Sequence, residues 1–239
     1  MGASRTYKKK KDNKPHEAVT TNTFGKKQHV EIVPRNVNQE TYLFNLLDES
    51  KDIVFGIGSA GTGKTQLAVQ VAIKQFKERN VDRIIITRPA VSVDEDLGAL
   101  PGTLEEKMAP WTRPVLDVFK EYFDSRQITG MLAEGILEIA PLSFMRGRTF
   151  RNSFIIADEC QNTTESQMKM LLTRIGEGSR MAVTGDLNQS DRMTDNGLLD
   201  FLRKYEKLGG KGIAVVKFKP SDVVRHEVVS QVLQIYGEL

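Results

Sequence analysis

The sequence has few of the features that mark secreted, membrane or zinc-binding proteins. It holds one cysteine in 239 residues, Cys160, which excludes an intramolecular disulfide and zinc sites built from several cysteines. Its apolar runs are short, such as residues 53–57, whereas a membrane-spanning helix needs about 20 residues. No apolar stretch follows the first residues, so we expect no secretory signal. These absences predict a cytoplasmic protein with no membrane association.

The net charge is also small, +3, but it is unevenly distributed. Residues 1–28 carry eight basic and two acidic side chains, so the remaining residues sum to −3. Large apolar side chains in this segment are limited to Tyr7, Val19 and Phe24, too few to bury a core. We therefore expect a disordered basic arm at 1–28 and a single folded domain at 29–239. The arm could contact nucleic-acid phosphates or could only keep the protein soluble.

Short β-branched runs alternate with longer helical patterns from residue 52 onward. The pattern predicts strands at 52–57, 83–87, 136–140, 154–158, 181–185 and 213–218. It predicts helices within 29–50 and at 65–79, 104–123, 127–134, 165–175, 197–206 and 221–236, the last with Ser221 as N-cap. Pro110 and Pro114 are expected to break the helix at 104–123. The alternation predicts an α/β fold with a parallel sheet covered by helices on both faces.

A glycine-rich motif lies between the first predicted strand and the amphipathic helix after it. It matches G-x-x-x-x-G-K-[ST], and its residues are Gly58, Ser59, Ala60, Gly61, Thr62, Gly63, Lys64 and Thr65. We call residues 58–65 the phosphate loop. The glycines allow backbone N–H groups to approach phosphates, and the N-terminus of the following helix adds positive partial charge. Lys64 is predicted to contact the β- and γ-phosphates, Thr65 to bind Mg²⁺, and the adjacent Gln66 to line the same nucleotide site.

Two adjacent acids follow a later apolar strand. Asp158 is expected to hold Mg²⁺ through water, and Glu159 to orient or deprotonate the attacking water. A carboxylate that activates water favours hydrolysis over phosphate transfer to a small molecule. The arrangement also predicts that another strand lies between the phosphate-loop strand and the Asp158 strand.

A third element, residues 184–189, follows the next apolar strand. Gln189 is predicted to sense the γ-phosphate and to relay its loss to a nucleic-acid face. The alternative is that Gly185 and Asp186 form a plain turn.

These elements together resemble superfamily 1 and 2 helicases, and further motifs resemble the PhoH family more closely. The motifs are RPAV (88–91), LGALPG (97–102), EKMAPW (106–111), RP (113–114), FMRGRTF (144–150), DECQN (158–162) and SDVVRH (221–226). The resemblance implies a cytoplasmic ATP-binding protein with a RecA-like P-loop core over about residues 35–237. Some family members carry fused RNA-binding or ribonuclease domains, for which we expect no room here. Cys160 stands where the family usually has alanine, and residues 92–96 replace a stretch richer in glycine.

The resemblance also points to residues that would complete an ATP site. Helicases of this kind read the adenine edge with a glutamine about 20 residues before the phosphate loop, where this chain has Gln39; an ordinary surface glutamine is the alternative. Phosphoryl transfer needs an arginine to neutralise the moving charge. Two-domain helicases take it from a second core domain, which we do not expect here. The arginine would then come from the chain's own last predicted helix or from a neighbouring copy. We therefore expect a homo-oligomer, with a hexameric ring as one form, in which Arg146, Arg148 or Arg225 reaches across an interface; Arg225 is the leading candidate. The alternative for each arginine is a local ion pair.

Basic and aromatic residues follow the second predicted strand. Arg88, Lys107, Arg113 and Trp111 suit single-stranded nucleic acid, although a tryptophan beside prolines could instead be a packing residue. The sequence as a whole predicts an Mg²⁺-dependent ATPase that acts on RNA or other nucleic acid. A nucleotide-dependent switch with slow hydrolysis and a protein partner is a second interpretation, and a small-molecule kinase is a third.

Overall fold

The computed structural model describes residues 29–89, 104–191 and 194–224, together with positions 228, 231 and 235, and it describes 104–111 by backbone only. The predicted basic arm at 1–28, Arg225 and most of the motif residues at 90–103 lie outside the described residues.

The described part contains six strands, named β1 to β6 in chain order, and six α-helices, α1 to α6. The strands are Ile53–Ile57, Arg83–Arg88, Leu137–Pro141, Ser153–Ala157, Arg180–Gly185 and Ile213–Lys217. The helices are Val37–Leu47, Lys64–Lys77, Leu104–Tyr122, Ser125–Ala133, Glu165–Leu172 and Gly197–Leu208.

All six strands pair in parallel, in the order β3-β2-β4-β5-β1-β6. The prediction of a parallel sheet is therefore confirmed. Strand β5 lies between β1 and β4, which confirms the strand expected between the phosphate loop and Asp158. Parallel strands bring their carboxyl ends to one edge of the sheet, where ligands bind in open α/β folds. The loops after β1, β4 and β5 consequently meet at the same place.

Successive residues of each strand point to opposite faces of the sheet and enter two different cores. In β2, Ile84 and Ile86 pack with α1 to α4, whereas Ile85 packs with α5 and α6. Buried side chains such as Val71 of α2 fill the first core, and Leu171 of α5 fills the second. Helices thus cover both faces, as the apolar strands predicted.

Helix α3 runs without interruption through Pro110 and Pro114, so the prediction that these prolines break it is wrong. Each proline removes one helical hydrogen bond, but Val115, Phe119 and Tyr122 after them are buried in the first core. Burying each such side chain contributes about 1.5–3 kcal/mol, which offsets the lost bonds. Although α3 has 19 residues, no helix within the described ranges has both the length and the apolar composition needed to cross a bilayer.

The last predicted helix does not begin at Ser221. Pro220–Asp222 form a short 3-10 turn, and Val223 after it has an extended backbone, with φ −65° and ψ 119°. The Asp222 carboxylate accepts the backbone N–H of Lys219 at 2.6 Å, which closes this turn locally. Positions 228, 231 and 235 are helical, and the rest of the predicted 221–236 helix lies outside the described residues.

Two helical glycines give opposite expectations for substitution by alanine. At Gly197, which opens α6, an added Cβ would lie 2.2 Å from the Thr164 carbonyl oxygen, so Gly197→Ala should destabilise the fold by about 2 kcal/mol through overpacking. At Gly130 in α4 an added Cβ meets no atom within 4 Å, so Gly130→Ala should stabilise by about 0.5–1 kcal/mol through helix propensity. Urea unfolding of the two variants measures both changes, and equal shifts would contradict the packing described for α6.

Candidate functional site

The phosphate loop connects β1 to α2. At two positions in the loop the backbone lies so close to neighbouring atoms that only glycine fits. Gly63, the N-cap of α2, has φ 82°, and an added Cβ there would lie 2.8 Å from Gln39 Nε2. At Gly58, with φ 149°, an added Cβ would lie 2.6 Å from the Phe218 carbonyl oxygen. The loop is thus held between α1 and the chain that follows β6.

Helix α2 begins without a side-chain cap. The helices α1, α4, α5 and α6 are each capped by a side chain, those of Asn36, Asp124, Thr164 and Asn196. Uncapped N–H groups at a helix N-terminus are free to bind an anion. The start of α2 therefore has the donors that a phosphate group needs.

The ammonium group of Lys64 folds back onto the phosphate loop. Its Nζ donates to the carbonyl oxygens of Gly58 at 2.6 Å and Ser59 at 2.7 Å, and to the Thr62 hydroxyl at 3.1 Å. The residue is 8% exposed, and burial lowers the pKa of Lys64 below its ordinary value. A phosphate in the loop would offer this buried charge an anionic partner in place of neutral carbonyls.

The Asp158 carboxylate joins the ends of three elements. Its Oδ1 accepts a hydrogen bond from the Thr65 hydroxyl at 2.7 Å and another from the Thr184 hydroxyl. The backbone N–H of Asp158 donates to the Thr87 carbonyl oxygen at the end of β2. Carboxylate and hydroxyl oxygens are ligands that Mg²⁺ accepts, so the two residues predicted to hold the metal lie side by side.

Glu159 has a left-handed backbone, with φ 55° and ψ 39°. Such a conformation is uncommon for a residue with a Cβ and costs on the order of 1 kcal/mol, so the surrounding structure must hold it. The conformation turns the chain sharply between β4 and the 3-10 turn Cys160–Asn162. Glu159 lines the same cavity as Asp158.

Gln161 connects the acids after β4 to the loop after β5, and sequence reasoning assigned it no role. Its side-chain nitrogen donates to the Glu159 carboxylate, and its side-chain oxygen accepts the backbone N–H of Asp186 at 3.0 Å. The residue is 2% exposed, so both ends of this amide are used in the interior. The motif DECQN contained Gln161, but no local pattern identifies its contact with Asp186, because that contact depends on β5 lying beside β4.

The cavity at this edge of the sheet, which we call the phosphate cavity, has a volume of about 240 Å³. It is lined by loop residues including Ala60, Gly61, Gly63, Lys64, Thr65 and Gln66, and by Asp158, Glu159, Thr184, Gly185, Asp186 and Gln189. The structure therefore brings together the three segments that the sequence analysis singled out. Gln189 lies exposed at the mouth of the cavity.

A second cavity, of about 510 Å³, adjoins the first and shares Gly61, Gly63 and Gln66 with it. Gln39 lines it and is 5% exposed. Its Nε2 donates to the Thr62 carbonyl oxygen at 3.0 Å and its Oε1 accepts the backbone N–H of Arg35 at 2.8 Å. A glutamine amide has two donor and two acceptor positions, so one of each remains for a bound base.

Of the predicted arginines, Arg146 and Arg148 do not line the phosphate cavity, and Arg225 lies outside the described residues. Arg148 forms a bidentate ion pair with Glu138, with Nη2 2.7 Å from Oε2, and stacks over the Phe150 ring. Arg146 is exposed. Both follow β3, four strand positions from β1, or about 19 Å at the usual strand spacing. For the nucleic-acid prediction, Arg113 is exposed on α3, and the side chains of 107 and 111 lie outside the described residues.

The chain after β6 is bonded to the phosphate loop and to α1. The Val224 N–H donates to the Gly61 carbonyl oxygen at 3.0 Å, and Asn38 Nδ2 donates to the Asp222 carboxylate at 2.6 Å. Asp222 is 7% exposed. The residue immediately before Arg225 therefore lies against the loop, and Asp222 is a further anchoring residue that the sequence analysis missed.

Comparison with known proteins agrees with the motifs. A family model described as PhoH-like protein matches residues 31–237. The PhoH-like protein of Mycobacterium tuberculosis is 41% identical over 228 residues, covering 93% of this chain and 62% of the relative. That of Bacillus subtilis is 42% identical over 224 residues, covering 93% and 68%. Protein PhoH of Escherichia coli is 42% identical over 210 residues, covering 86% and 58%. The chain thus spans about three fifths of the length of these relatives.

Solved structures show more distant likeness. The Pif1 helicase of Candida albicans has a TM-score of 0.42 at 15% identity, with 86% of this chain and 44% of that chain covered. The Sulfolobus solfataricus SWI2/SNF2 ATPase core in complex with dsDNA has a TM-score of 0.38 at 14% identity, with 64% and 32% covered. The parallel sheet and phosphate loop already define a RecA-like P-loop fold, and the extent of the sequence match defines the family: this chain belongs to the PhoH-like protein family.

Proposed function

We propose that the protein is an Mg²⁺-dependent ATPase that works on RNA or other single-stranded nucleic acid as a homo-oligomer. The observation that carries the proposal is the convergence of Lys64, Thr65, Asp158 and Glu159 around one cavity next to the uncapped start of α2. This set has a donor for phosphates, oxygen ligands for a cation and a carboxylate able to act on water.

The two adjoining cavities suit the two ends of ATP. The phosphates would lie in the loop, where backbone N–H groups and Lys64 neutralise their charge. The base would lie in the second cavity, where Gln39 retains a donor and an acceptor for the adenine edge. Both cavities share Gly61, Gly63 and Gln66, so one nucleotide could span them.

Thr65 and Asp158 fit Mg²⁺ because the two oxygens lie 2.7 Å apart and are hard ligands. Mg²⁺ held there would neutralise the charge that develops on the β- and γ-phosphates. Asp158 would hold the ion through water, and the Thr184 hydroxyl fixes the orientation of that carboxylate.

Glu159 would accept the proton of the attacking water. Its left-handed backbone and the hydrogen bond from Gln161 constrain the Glu159 carboxylate, and Glu159 lines the same cavity as Thr65 and Asp158. This position favours water as the acceptor of the phosphoryl group. Gln189 at the mouth would respond to the γ-phosphate, and Gln161 would transmit the change between the loops after β4 and β5.

Substitutions at the two charged residues should separate binding from hydrolysis. Lys64→Ala should weaken ATP binding at least tenfold, because the loop loses its cation. Glu159→Gln should preserve ATP affinity within about threefold but lower kcat by about a hundredfold or more, because the general base is lost. Isothermal titration and phosphate release measure the two quantities. Wild-type turnover in Glu159→Gln would rule out the proposed base.

Gln161 is expected to act as a positioning residue. Gln161→Glu keeps an oxygen for the Asp186 N–H but loses the donor to Glu159, so kcat should fall about tenfold with KM unchanged. Gln161→Ala loses both bonds and should also lower thermal stability. If Gln161→Glu keeps full kcat, or changes KM instead, the donor to Glu159 does not matter for hydrolysis.

An arginine is still needed for the transition-state charge, and none of the described residues that line the phosphate cavity is an arginine. Arg225 is the leading candidate, since Val224 is bonded to the phosphate loop. Arg146 or Arg148 of a neighbouring copy are the others, and both would require a homo-oligomer, with a hexameric ring as one form.

Mixed oligomers test this arrangement. Alanine variants of Arg146, Arg148 and Arg225 should each be assayed alone and mixed with Lys64→Ala subunits. If a neighbour supplies the arginine, the mixture should regain measurable ATP turnover, because some sites combine an intact loop with an intact arginine. Failure of every mixture to recover turnover contradicts a shared site.

A nucleotide-dependent switch is the alternative from a different class. Stimulation of ATP turnover by RNA or single-stranded DNA supports the proposed function, whereas turnover unaffected by any nucleic acid favours the switch. Phosphate release without an added acceptor counts against a small-molecule kinase.

A further inference from the structure

Phe144 is an aromatic side chain held at the surface. It is 57% exposed and lies in the 3-10 turn Leu142–Met145, directly after β3. Leu142 and Met145, at the two ends of this turn, are buried in the second core. Because both ends are anchored, the Phe144 ring cannot turn into the interior without unpacking them.

Three arginines lie at the same turn. Arg146 and Arg148 follow Phe144 closely in the chain, and Arg174, two residues after the end of α5, donates from Nη1 to the Arg148 carbonyl oxygen at 3.0 Å. The Arg148 charge is balanced by Glu138. In the part of the chain that the structure describes, Arg146 and Arg174 have no carboxylate within ion-pair distance. The turn therefore combines an exposed ring with two guanidinium groups that have no carboxylate partner among the described residues.

This turn lies at the carboxyl edge of the sheet, the edge that also holds the phosphate cavity. A ligand bound there would face the same side of the molecule as the nucleotide. The other large apolar side chains that are more than half exposed on described helices, such as Phe44 on α1 and Leu208 on α6, lie on other elements. Arginines lie near Phe144, and Phe144 does not belong to a larger apolar patch on its turn. This composition disfavours a protein partner.

We propose that Phe144, Arg146 and Arg174 form a binding surface for single-stranded nucleic acid. The Phe144 ring stacks on an unpaired base, and the two guanidinium groups contact backbone phosphates. A paired duplex does not fit, because its base faces are covered by their neighbours. The proposal rests on the proposed function and names where its nucleic acid lies.

The test compares two exposed phenylalanines in the full chain. Phe144→Ala should weaken binding of a labelled single-stranded oligouridine about tenfold in fluorescence anisotropy, because a stacking contact is lost. Phe44→Ala, a matched control on α1 beside β1 and β6 at the other side of the sheet, should change affinity less than twofold. Phe144→Trp should keep wild-type affinity. Basal ATP turnover should be unchanged in all three variants.

Salt dependence tests the arginine contribution. Arg174→Gln should lower the slope of log affinity against log salt by about one, because one phosphate contact is lost. Its thermal stability should be measured alongside, since Arg174 also donates to the Met170 carbonyl oxygen. A slope equal to that of the wild type in a folded variant removes Arg174 from the surface.

The remaining outcomes are distinct. If the wild type binds oligouridine and Phe144→Ala binds as tightly, the surface is wrong while the proposed function stands. If the wild type binds no single-stranded nucleic acid, both fail. If Phe144→Ala changes the mass in solution with affinity intact, Phe144 is a contact between copies of this chain, which overturns the proposal.

Discussion

A single carboxylate oxygen, Oδ1 of Asp158, holds together the edge of the sheet where the candidate site lies. It accepts hydrogen bonds from Thr65 at the start of α2 and from Thr184 near the end of β5. These hydroxyls come from segments that are 93 and 26 residues away from Asp158 in the chain. The parallel pairing of β1, β5 and β4 places Thr65, Thr184 and Asp158 at the same edge of the sheet. The geometry of the site therefore depends first on the order of the strands and only then on the conformation of the loops.

The position of Glu159 is constrained by its own backbone and by Gln161. Its left-handed backbone is unfavourable in isolation, and the buried amide of Gln161 holds its carboxylate while also binding the loop after β5. A change at either loop must therefore alter the same amide. Such a buried amide, bonded at both its nitrogen and its oxygen, is held in place because an unsatisfied donor or acceptor would cost about 1–3 kcal/mol.

The phosphate loop is also held by hydrogen bonds from two segments outside the sheet, helix α1 and the residues after β6. Gln39 of α1 binds the Thr62 carbonyl, and Val224, after β6, binds that of Gly61. Asn38 and Asp222 join these two supporting segments to each other. Helix α1 and the residues after β6 therefore both contact the loop and each other, which makes the loop's conformation sensitive to both segments.

Local patterns in the sequence determined the elements with strong periodicity and the residues of known chemistry. The apolar strands, the glycine-rich loop and the acids at 158 and 159 were all found because spacing of a few residues carries the signal. Strand β5 between β1 and β4 was also anticipated, since an acid pair after an apolar strand is typical of that order. The prediction that Pro110 and Pro114 break α3 was wrong because it used a local rule alone. Packing of Phe119 and Tyr122 outweighs the lost hydrogen bonds.

Only the tertiary structure decided which side chains meet. Gln161, Asp222 and the pairing of Arg148 with Glu138 have no marker in the sequence, because each depends on segments brought together by the sheet. The start of the last helix was misplaced for the same reason, since Asp222 and Val224 bond to Lys219, α1 and the phosphate loop instead of forming a helical turn. The sequence by itself determined the chemistry available to this protein, while long-range hydrogen bonds and packing decided where that chemistry is assembled.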